Sequence, residues 1–444
     1  MVHHRDIMRY YSTKNPDNSV SLYEAVTHST APDSGVYIPE SIPDIPRALF
    51  NNISEMTLAE IAYVVGSVLF GSDIDPAKIN DIVKDTLSFD IPLVKIDNNI
   101  YALELFHGPT KSFKDIGTRF MAHLLDYFRT TDTGAINGLN VLVTTSGDTG
   151  CAVVDAFGGL SDVRVFVLSP KGTLRHVYGD RIHSLPSNIV PVEVRGDFDT
   201  CMEMARKAYN DRELNRHLSL TSANSINIAR LLPQTFFFFH AYARLVAAGE
   251  NPERIAVATP CGNLGNFTAA LYAKRMGLPI SRIMATGYGN ERLWRHLNGG
   301  ISTLKDTDVR NLGNNPARIN RILSEMPELS TLVDCHTFSE QDVASQIRDT
   351  YNRSGYLMDR NSAMACRALY ENMHFGETGV FMATAHPMKY ADKLEQILGK
   401  PLMLSPHKSQ NDSMQHRNLP HITTISPTFP ALKNLLLEYS SNTK

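Results

Sequence analysis

Twice in this chain of 444 residues a short apolar run passes through a glycine-bearing turn straight into a helical segment. Val141-Leu142-Val143 leads through a turn at Thr144 to Gly150 into a helix predicted over Cys151 to Leu160, and the apolar run Val163 to Leu168 completes a βαβ unit. Ile255 to Thr259 leads through Pro260 to Asn266 into a helix over Phe267 to Gly277. Further strands are predicted at Ile189 to Val194 and Gly379 to Thr384, with a helix over Phe198 to Tyr209. A long helical segment over Ser225 to Ala248 carries four consecutive phenylalanines, Phe236 to Phe239, which belong in a core. Strands alternating with helices in this way read as an α/β fold, with helices on both faces of mainly parallel sheets. Before them lies a turn-rich stretch with one amphipathic segment, Leu58 to Phe70, read as an N-terminal cap. Ile301 to Pro327 reads as loop and surface helix.

The length exceeds what one core supports, so two domains are expected. Lys plus Arg number 43 against 46 Asp plus Glu, a formal net charge of -3, which implies no general pull toward nucleic acid or anionic membrane. Any anion site must be local. Five cysteines (Cys151, Cys201, Cys261, Cys335, Cys366) lack C-x-x-C spacing, against a disulfide framework or structural zinc site. No His-Glu-x-x-His motif occurs, no metal is expected, and His107 and His386 sit in turn motifs as structural residues. The N-terminal stretch has no apolar core of signal-peptide length and no apolar run spans a bilayer, so a cytoplasmic enzyme is expected.

In a doubly wound fold, ligands bind where loops leave the carboxyl ends of strands. Thr145-Ser146-Gly147-Asp148-Thr149-Gly150 can aim backbone N–H groups and hydroxyls at an anion, with the helix dipole assisting. Pro260-Cys261-Gly262-Asn263-Leu264-Gly265-Asn266 can do the same, its glycines permitting close approach. Neither matches a nucleotide-binding pattern, and each alone reads equally as an ordinary βα turn. Lys114, between Phe113 and Ile116, is either a surface lysine or a partly desolvated amine suited to imine chemistry. Pyridoxal phosphate requires such an amine together with a phosphate cradle.

Five blocks, HGPTKSFKDIGTRFMAHLL, TTSGDTGCAVVDAF, TSANSINIARLLPQ, PCGNLGNFTAALYAKRMGLP and ATAHPMKY, occur in this order. The chain thereby resembles the threonine synthase family, and APDSGVYIPE is similar to that family's N-terminal segment. The resemblance implies a fold type II pyridoxal-phosphate enzyme, tryptophan synthase β-like, with two open parallel-sheet α/β domains and a cap. The implied division is a cap over 1–100, a smaller domain over 101–225 and a larger cofactor-binding domain over 226–444 with a C-terminal helical region. It further implies that Lys114 is the Schiff-base lysine with Phe113 beside the ring, and that Gly262, Asn263, Leu264, Gly265 and Asn266 cradle the cofactor phosphate. Asp148 is then placed near the ring hydroxyl and Thr384 at the ring nitrogen. Ser146, Gly147, Thr149, Asn224, Asn227 and Arg230 are the implied substrate ligands.

The implied reaction turns O-phospho-L-homoserine and water into L-threonine and phosphate, the last step of threonine biosynthesis, in a monomer or homodimer. Two places depart from the family pattern. Asp359-Arg360-Asn361-Ser362-Ala363 stands where Pro-His usually follows an acidic residue, and Lys171 to Leu185 lacks a Ser-x-x-Gln element. These leave open a related lyase, such as a phosphothreonine lyase or serine/threonine dehydratase, a paralogue with another amino-acid substrate, or a non-catalytic binding protein.

Overall fold

A computed structural model describes residues 8–131, 138–178, 182, 184–287, 315–402 and 422–441. The strands are β1 (Tyr10–Ser12), β2 (Ser19–Val20), β3 (Tyr37–Pro39), β4 (Leu93–Asp97), β5 (Ile100–Glu104), β6 (Leu139–Thr144) and β7 (Val163–Pro170). They continue with β8 (Ile189–Val194), β9 (Ser219–Ser222), β10 (Ile255–Pro260), β11 (Arg282–Thr286), β12 (Val333–His336), β13 (Thr378–Ala383) and β14 (Thr423–Ile425). A small antiparallel sheet, β2-β1-β3, lies in the N-terminal region. Two larger sheets run β12-β11-β10-β13-β5-β4 and β14-β8-β7-β6-β9, parallel throughout except for β4 against β5. The sheets interleave in sequence: β4 and β5 precede the second sheet's strands, and β14, which sequence reading missed, joins it from near the C-terminus.

In each sheet the strand order reverses once. From β6 the chain builds outward through β7 and β8, and β9 returns to the other flank of β6. From β10 it builds through β11 and β12, and β13 returns to the other flank of β10. At such reversals adjacent loops part and leave a crevice at the carboxyl ends of the strands. The crevices are therefore bounded by the loops after β6 and β9 and by those after β10 and β13.

The helices fill the space between. Leu58–Phe70 forms a helix as its spacing predicts, opened by a capping box of Thr57 and Glu60 and burying Ile61, Val65 and Leu69. The segment from 225 to 248 is not one helix. Ile228–Leu231 is followed by a 3-10 turn at Leu232–Gln234 and then by Thr235–Ala247, because Pro233 cannot donate to a continuous ladder. Phe236 to Phe239 are all buried, so this helix is enclosed on every side. The helix at Asp148–Phe157 begins inside the stretch expected as turn. Of Ile301 to Pro327, residues 301–314 lie outside the described residues, and Asn315–Glu325 is a helix that is not confined to the surface. Its Arg318 is fully buried and donates to the carbonyls of Tyr37 (3.1 Å), Ser225 (3.2 Å) and Ile226 (2.5 Å) and to Asn315 Oδ1 (3.0 Å).

His240 in the phenylalanine helix lies 2.9 Å from the Ile91 carbonyl through Nε2, which must therefore carry the proton, while Nδ1 is buried without a partner. Burial holds this imidazole down at about 4. The unfolded chain takes up a proton there from about pH 6.5 downward while the folded chain resists, so stability falls as pH drops through that window, by up to about 3 kcal/mol. Urea unfolding of wild type and His240→Gln from pH 7 to 4 checks this: the variant should lose that part of the pH dependence.

Candidate active site

The segment leaving β5 is stitched to the loop leaving β13. Phe113 N–H donates to Thr384 O (3.0 Å), His386 N–H donates to Lys111 O (3.1 Å), and Ser112 bridges Ala385. Lys111 takes a left-handed φ of 56° to make this turn. The stitching delivers Lys114 to the start of the helix Lys114–Thr130, beside Thr384. Its ammonium sits 3.6 Å from Asp148 Oδ2 and 5.0 Å from the centre of the Phe113 ring, with the side chain only 22% exposed. Burial pulls the Lys114 amine below its ordinary value; Asp148 opposes this, and Lys389 and Arg230 reinforce it.

Asp148 stands in the first turn of Asp148–Phe157, and its other oxygen, Oδ1, is 2.5 Å from Lys389 Nζ. Burial alone would raise this carboxyl, but the two ammonium groups prevail and hold it below the usual carboxylate range. The turn before it is fixed by Thr145, whose hydroxyl oxygen accepts from the N–H groups of Gly147 (3.0 Å) and Gly150 (2.9 Å). Ser146 is exposed and Thr149 half-buried at the open end of the helix. A Cβ on Gly147 would meet nothing within 4 Å, so space lies before this turn.

The three residues of the SANSINIAR block behave differently from one another. Arg230 is 5% exposed, donates to Ala223 O, and keeps its Nε buried without a partner. No carboxylate pairs with it at salt-bridge distance among the described residues. Asn224 is occupied by β6: it accepts from Thr144 N–H (3.0 Å) and donates to Thr144 O (2.9 Å). Asn227 is fully buried, caps Ile228–Leu231 through Ala229 N–H (2.9 Å), and donates to Val26 O and Ser29 Oγ, both at 2.9 Å. Its polar atoms are thus spent within the protein, and it ties the turn to the N-terminal region instead of lining the crevice. The helical i, i+3 reasoning failed because only Arg230 lies in a helix; Asn227 is its cap.

The loop after β10 opens the helix Gly265–Arg275. Leu264 adopts a left-handed φ of 61° while fully buried, and a Cβ on Gly262 would meet nothing within 4 Å. Asn263 accepts from Gly265 N–H (3.1 Å) through its side chain, and its carbonyl accepts from Asn315 (2.8 Å). Asn266 is 2% exposed with both amide atoms unpartnered. This loop joins Lys114 through packed neighbours. Gln234 donates to Arg230 O (2.9 Å) and reaches within 3.6 Å of a Cβ position on Gly265, while a Cβ on Gly117 would fall 2.5 Å from Arg230 O. Gly117 thus allows the Lys114 helix to lie directly on the Arg230 turn.

A desolvated amine, a threonine on the loop stitched to its segment, and a helix N-terminus fronted by open space and an orphaned buried amide fit pyridoxal phosphate: Lys114 would take its aldehyde, Thr384 would face its ring nitrogen, and the Gly262 to Asn266 loop would cradle its phosphate. No group of three or more metal-ligating residues occurs among the described residues.

Sequence reading missed Lys389 and Asn315. Lys389 stands inside the ATAHPMKY block, where its nearness to Thr384 was a usable signal; Asn315 is remote in sequence from the loop it holds. The first departure is structural in form. Asp359 caps the helix Arg360–Asn372, accepting from Asn361 N–H (2.7 Å), Ser362 N–H (3.2 Å) and Ser362 Oγ (2.6 Å). Burial raises its carboxyl, opposed by hydrogen bonds from Ser362, Asn361 and Ala385, so it also braces the residue after Thr384. Asn361 itself is exposed. In the second departure Thr173–Tyr178 forms a short helix, and residues 179–181 and 183 lie outside the described residues. His386 caps the turn at Pro387–Tyr390 through Met388 N–H (3.2 Å), as a turn residue should.

Fold and site together define a pyridoxal-phosphate-dependent enzyme of fold type II, and residues 86–382 match the family model described as pyridoxal-phosphate dependent enzyme. Residues 9–87 match the model described as threonine synthase N terminus. The threonine synthase of Haemophilus influenzae is 35% identical over 407 residues, covering 89% of this chain and 93% of that protein. That of Escherichia coli K12 is 32% identical over 444 residues, 97% of this chain and 100% of its own. The crystal structure of Escherichia coli threonine synthase superposes with a TM-score of 0.84 at 30% identity, covering 97% of this chain and 100% of its own. The pyridoxal-phosphate-bound threonine synthase of Brucella melitensis superposes with a TM-score of 0.82 at 26% identity, covering 98% and 99%. The chain belongs to the threonine synthase family.

If Asp359 is a cap and Asn361 a bystander, Asp359→Ala should cost about 1–2 kcal/mol in urea unfolding. Asn361→Ala should stay within about 0.5 kcal/mol.

Proposed function

We propose that this chain converts O-phospho-L-homoserine and water into L-threonine and inorganic phosphate, with pyridoxal phosphate carried by Lys114. The observation that supports this most is the pairing of a largely buried amine, Lys114, with Asp148 at 3.6 Å, on a segment whose Phe113 is hydrogen-bonded to Thr384. When bound, the cofactor supplies an electron sink that acidifies first the Cα and then the Cβ hydrogen of the amino-acid substrate.

The remaining work falls to side chains. Lys114, with an amine depressed by burial, takes the Cα proton and then the Cβ proton, returns one at Cγ once the phosphate has left, takes the proton released by the water that adds at Cβ, and returns one at Cα, the surplus proton leaving with the phosphate. Arg230 offers its unpartnered Nε to the phosphate of the substrate, fixed positive character where charge develops as that group leaves Cγ. Ser146, Gly147 and Thr149, at the open end of the Asp148 helix, hold the substrate carboxylate by N–H and hydroxyl donors. Asn224 and Asn227 serve the substrate only by holding Arg230 and its turn in place. Asp148 stays ionised near the ring hydroxyl, and the neutral Thr384 hydroxyl meets the ring nitrogen without forcing its protonation.

The proposal extends to a cytoplasmic monomer or homodimer that binds neither nucleic acid nor membrane; no helix among the described residues is long and apolar enough to cross a bilayer. It keeps the division into cap, smaller and larger domain in amended form, with 93–104 joined to the larger sheet and 423–425 to the smaller.

Incubation with O-phospho-L-homoserine should give phosphate and threonine in equal amounts, and Lys114→Ala should abolish both. Phosphate accompanied by 2-oxobutanoate would make the chain a lyase instead. Arg230→Met should lower kcat/KM by about a hundredfold or more while cofactor binding persists, read by absorbance of the bound cofactor.

A further inference from the structure

Asp148 faces two ammonium groups, Lys114 through Oδ2 (3.6 Å) and Lys389 through Oδ1 (2.5 Å). Lys389 is itself held by the Thr110 carbonyl (2.9 Å), and Thr110 is anchored by the buried Asp115, which accepts from its N–H (3.0 Å) and its hydroxyl (2.5 Å). The second lysine thus has a fixed seat, built from residues on either side of Lys114, Thr110 and Asp115.

Charge counting shows what that seat does. With Lys114 as its sole partner, Asp148 would lock Lys114 in the protonated form, because losing that proton would strand a buried carboxylate without a counter-charge. A second ammonium removes the penalty: after Lys114 gives up its proton, Asp148 and Lys389 remain as a neutral pair. Among the described residues, Arg230 also bears on Lys114, Asp115 and His386 bear on Lys389, and Tyr390 bears on Asp148, with Asp155 beyond Asp115 and Asp359 beyond Tyr390. Of these only Arg230 is a cation, and it too disfavours the charged form of Lys114.

We propose that Lys389 is a positioning residue that keeps Asp148 charge-paired when Lys114 loses its proton, so that Lys114 reaches its neutral, nucleophilic form more readily than it would with Asp148 as its sole counter-charge. The inference rests on Lys114 being the cofactor lysine. It concerns the protein before any substrate arrives, and its readout does not depend on turnover.

The test uses the full-length protein freed of cofactor and mixed with pyridoxal 5'-phosphate across a pH series. The Lys114 amine condenses with the aldehyde and releases one water; borohydride then traps the product, and peptide mass quantifies it at Lys114. Lys389→Met should capture the cofactor about tenfold more slowly near neutral pH and converge on wild type as pH rises, since each pH unit changes the neutral-amine fraction about tenfold below its midpoint. Lys389→Arg, which keeps the charge, should follow the wild-type profile. Lys389→Gln, which retains a donor for Thr110, replaces the methionine variant if that one does not fold. Slowing by one factor at every pH, or a profile that does not move, would overturn the proposal. Lys114→Ala separates the two readings: trapped cofactor that maps elsewhere with equal yield removes the lysine assignment itself.

Discussion

A parallel sheet that grows outward on both sides of one strand must send the loops on either side of that strand in opposite directions. Both large sheets do so, at β6 and at β10. The rest of the site follows from that constraint, because the crevices are where backbone N–H groups at helix starts meet no partner of their own. The loop from β10 and the Thr384 loop from β13 flank one reversal, and the Asp148 turn from β6 and the Arg230 turn after β9 flank the other. The segment after β5 then joins the two: its backbone is stitched to Thr384, its helix lies on Arg230 at Gly117, and its lysine reaches Asp148.

Electrostatics inside this frame are arranged around too few anions. Arg230 and Arg318 are both buried without a carboxylate at salt-bridge distance among the described residues, and burial brings each down to about 10. Both therefore stay charged at neutral pH, but for different ends. Arg318 spends its donors on carbonyls and on Asn315, whereas Arg230 keeps its Nε buried without a partner. A buried donor without an acceptor costs about 1–3 kcal/mol, a cost that an arriving phosphate oxygen would offset. An unsatisfied donor of this kind is a local cost of folding that only a ligand could remove.

Much of this was legible in sequence because strand-turn-helix units write themselves locally: a β-branched run, a glycine turn, a helical pattern. Lys114, the Gly262 to Asn266 loop and Thr384 stand at such junctions. What escaped depended on distance in the chain. The pairing of β14 with β8, the hold of Asn315 on Asn263, and the burial of Arg318 in a helix that composition marks as surface all arise from partners far away in sequence. The partners of Asn227 were hidden in the same way. Its hydrogen bonds to Val26 and Ser29 reach partners about two hundred residues away, which the SANSINIAR block alone does not show.

Arg318 grips the N-terminal region and the Arg230 turn through the carbonyls of Tyr37, Ser225 and Ile226, and through Asn315 it reaches the Gly262 loop. Every amino acid supplies the same carbonyl. The grip itself therefore does not depend on the side chains at the three gripped positions, whereas it does depend on the arginine and the asparagine. The joint between the N-terminal region and the Arg230 turn is thus written in backbone on one side and in two side chains on the other, so its strength is set by the placement of Arg318 and Asn315 rather than by the identity of what they hold.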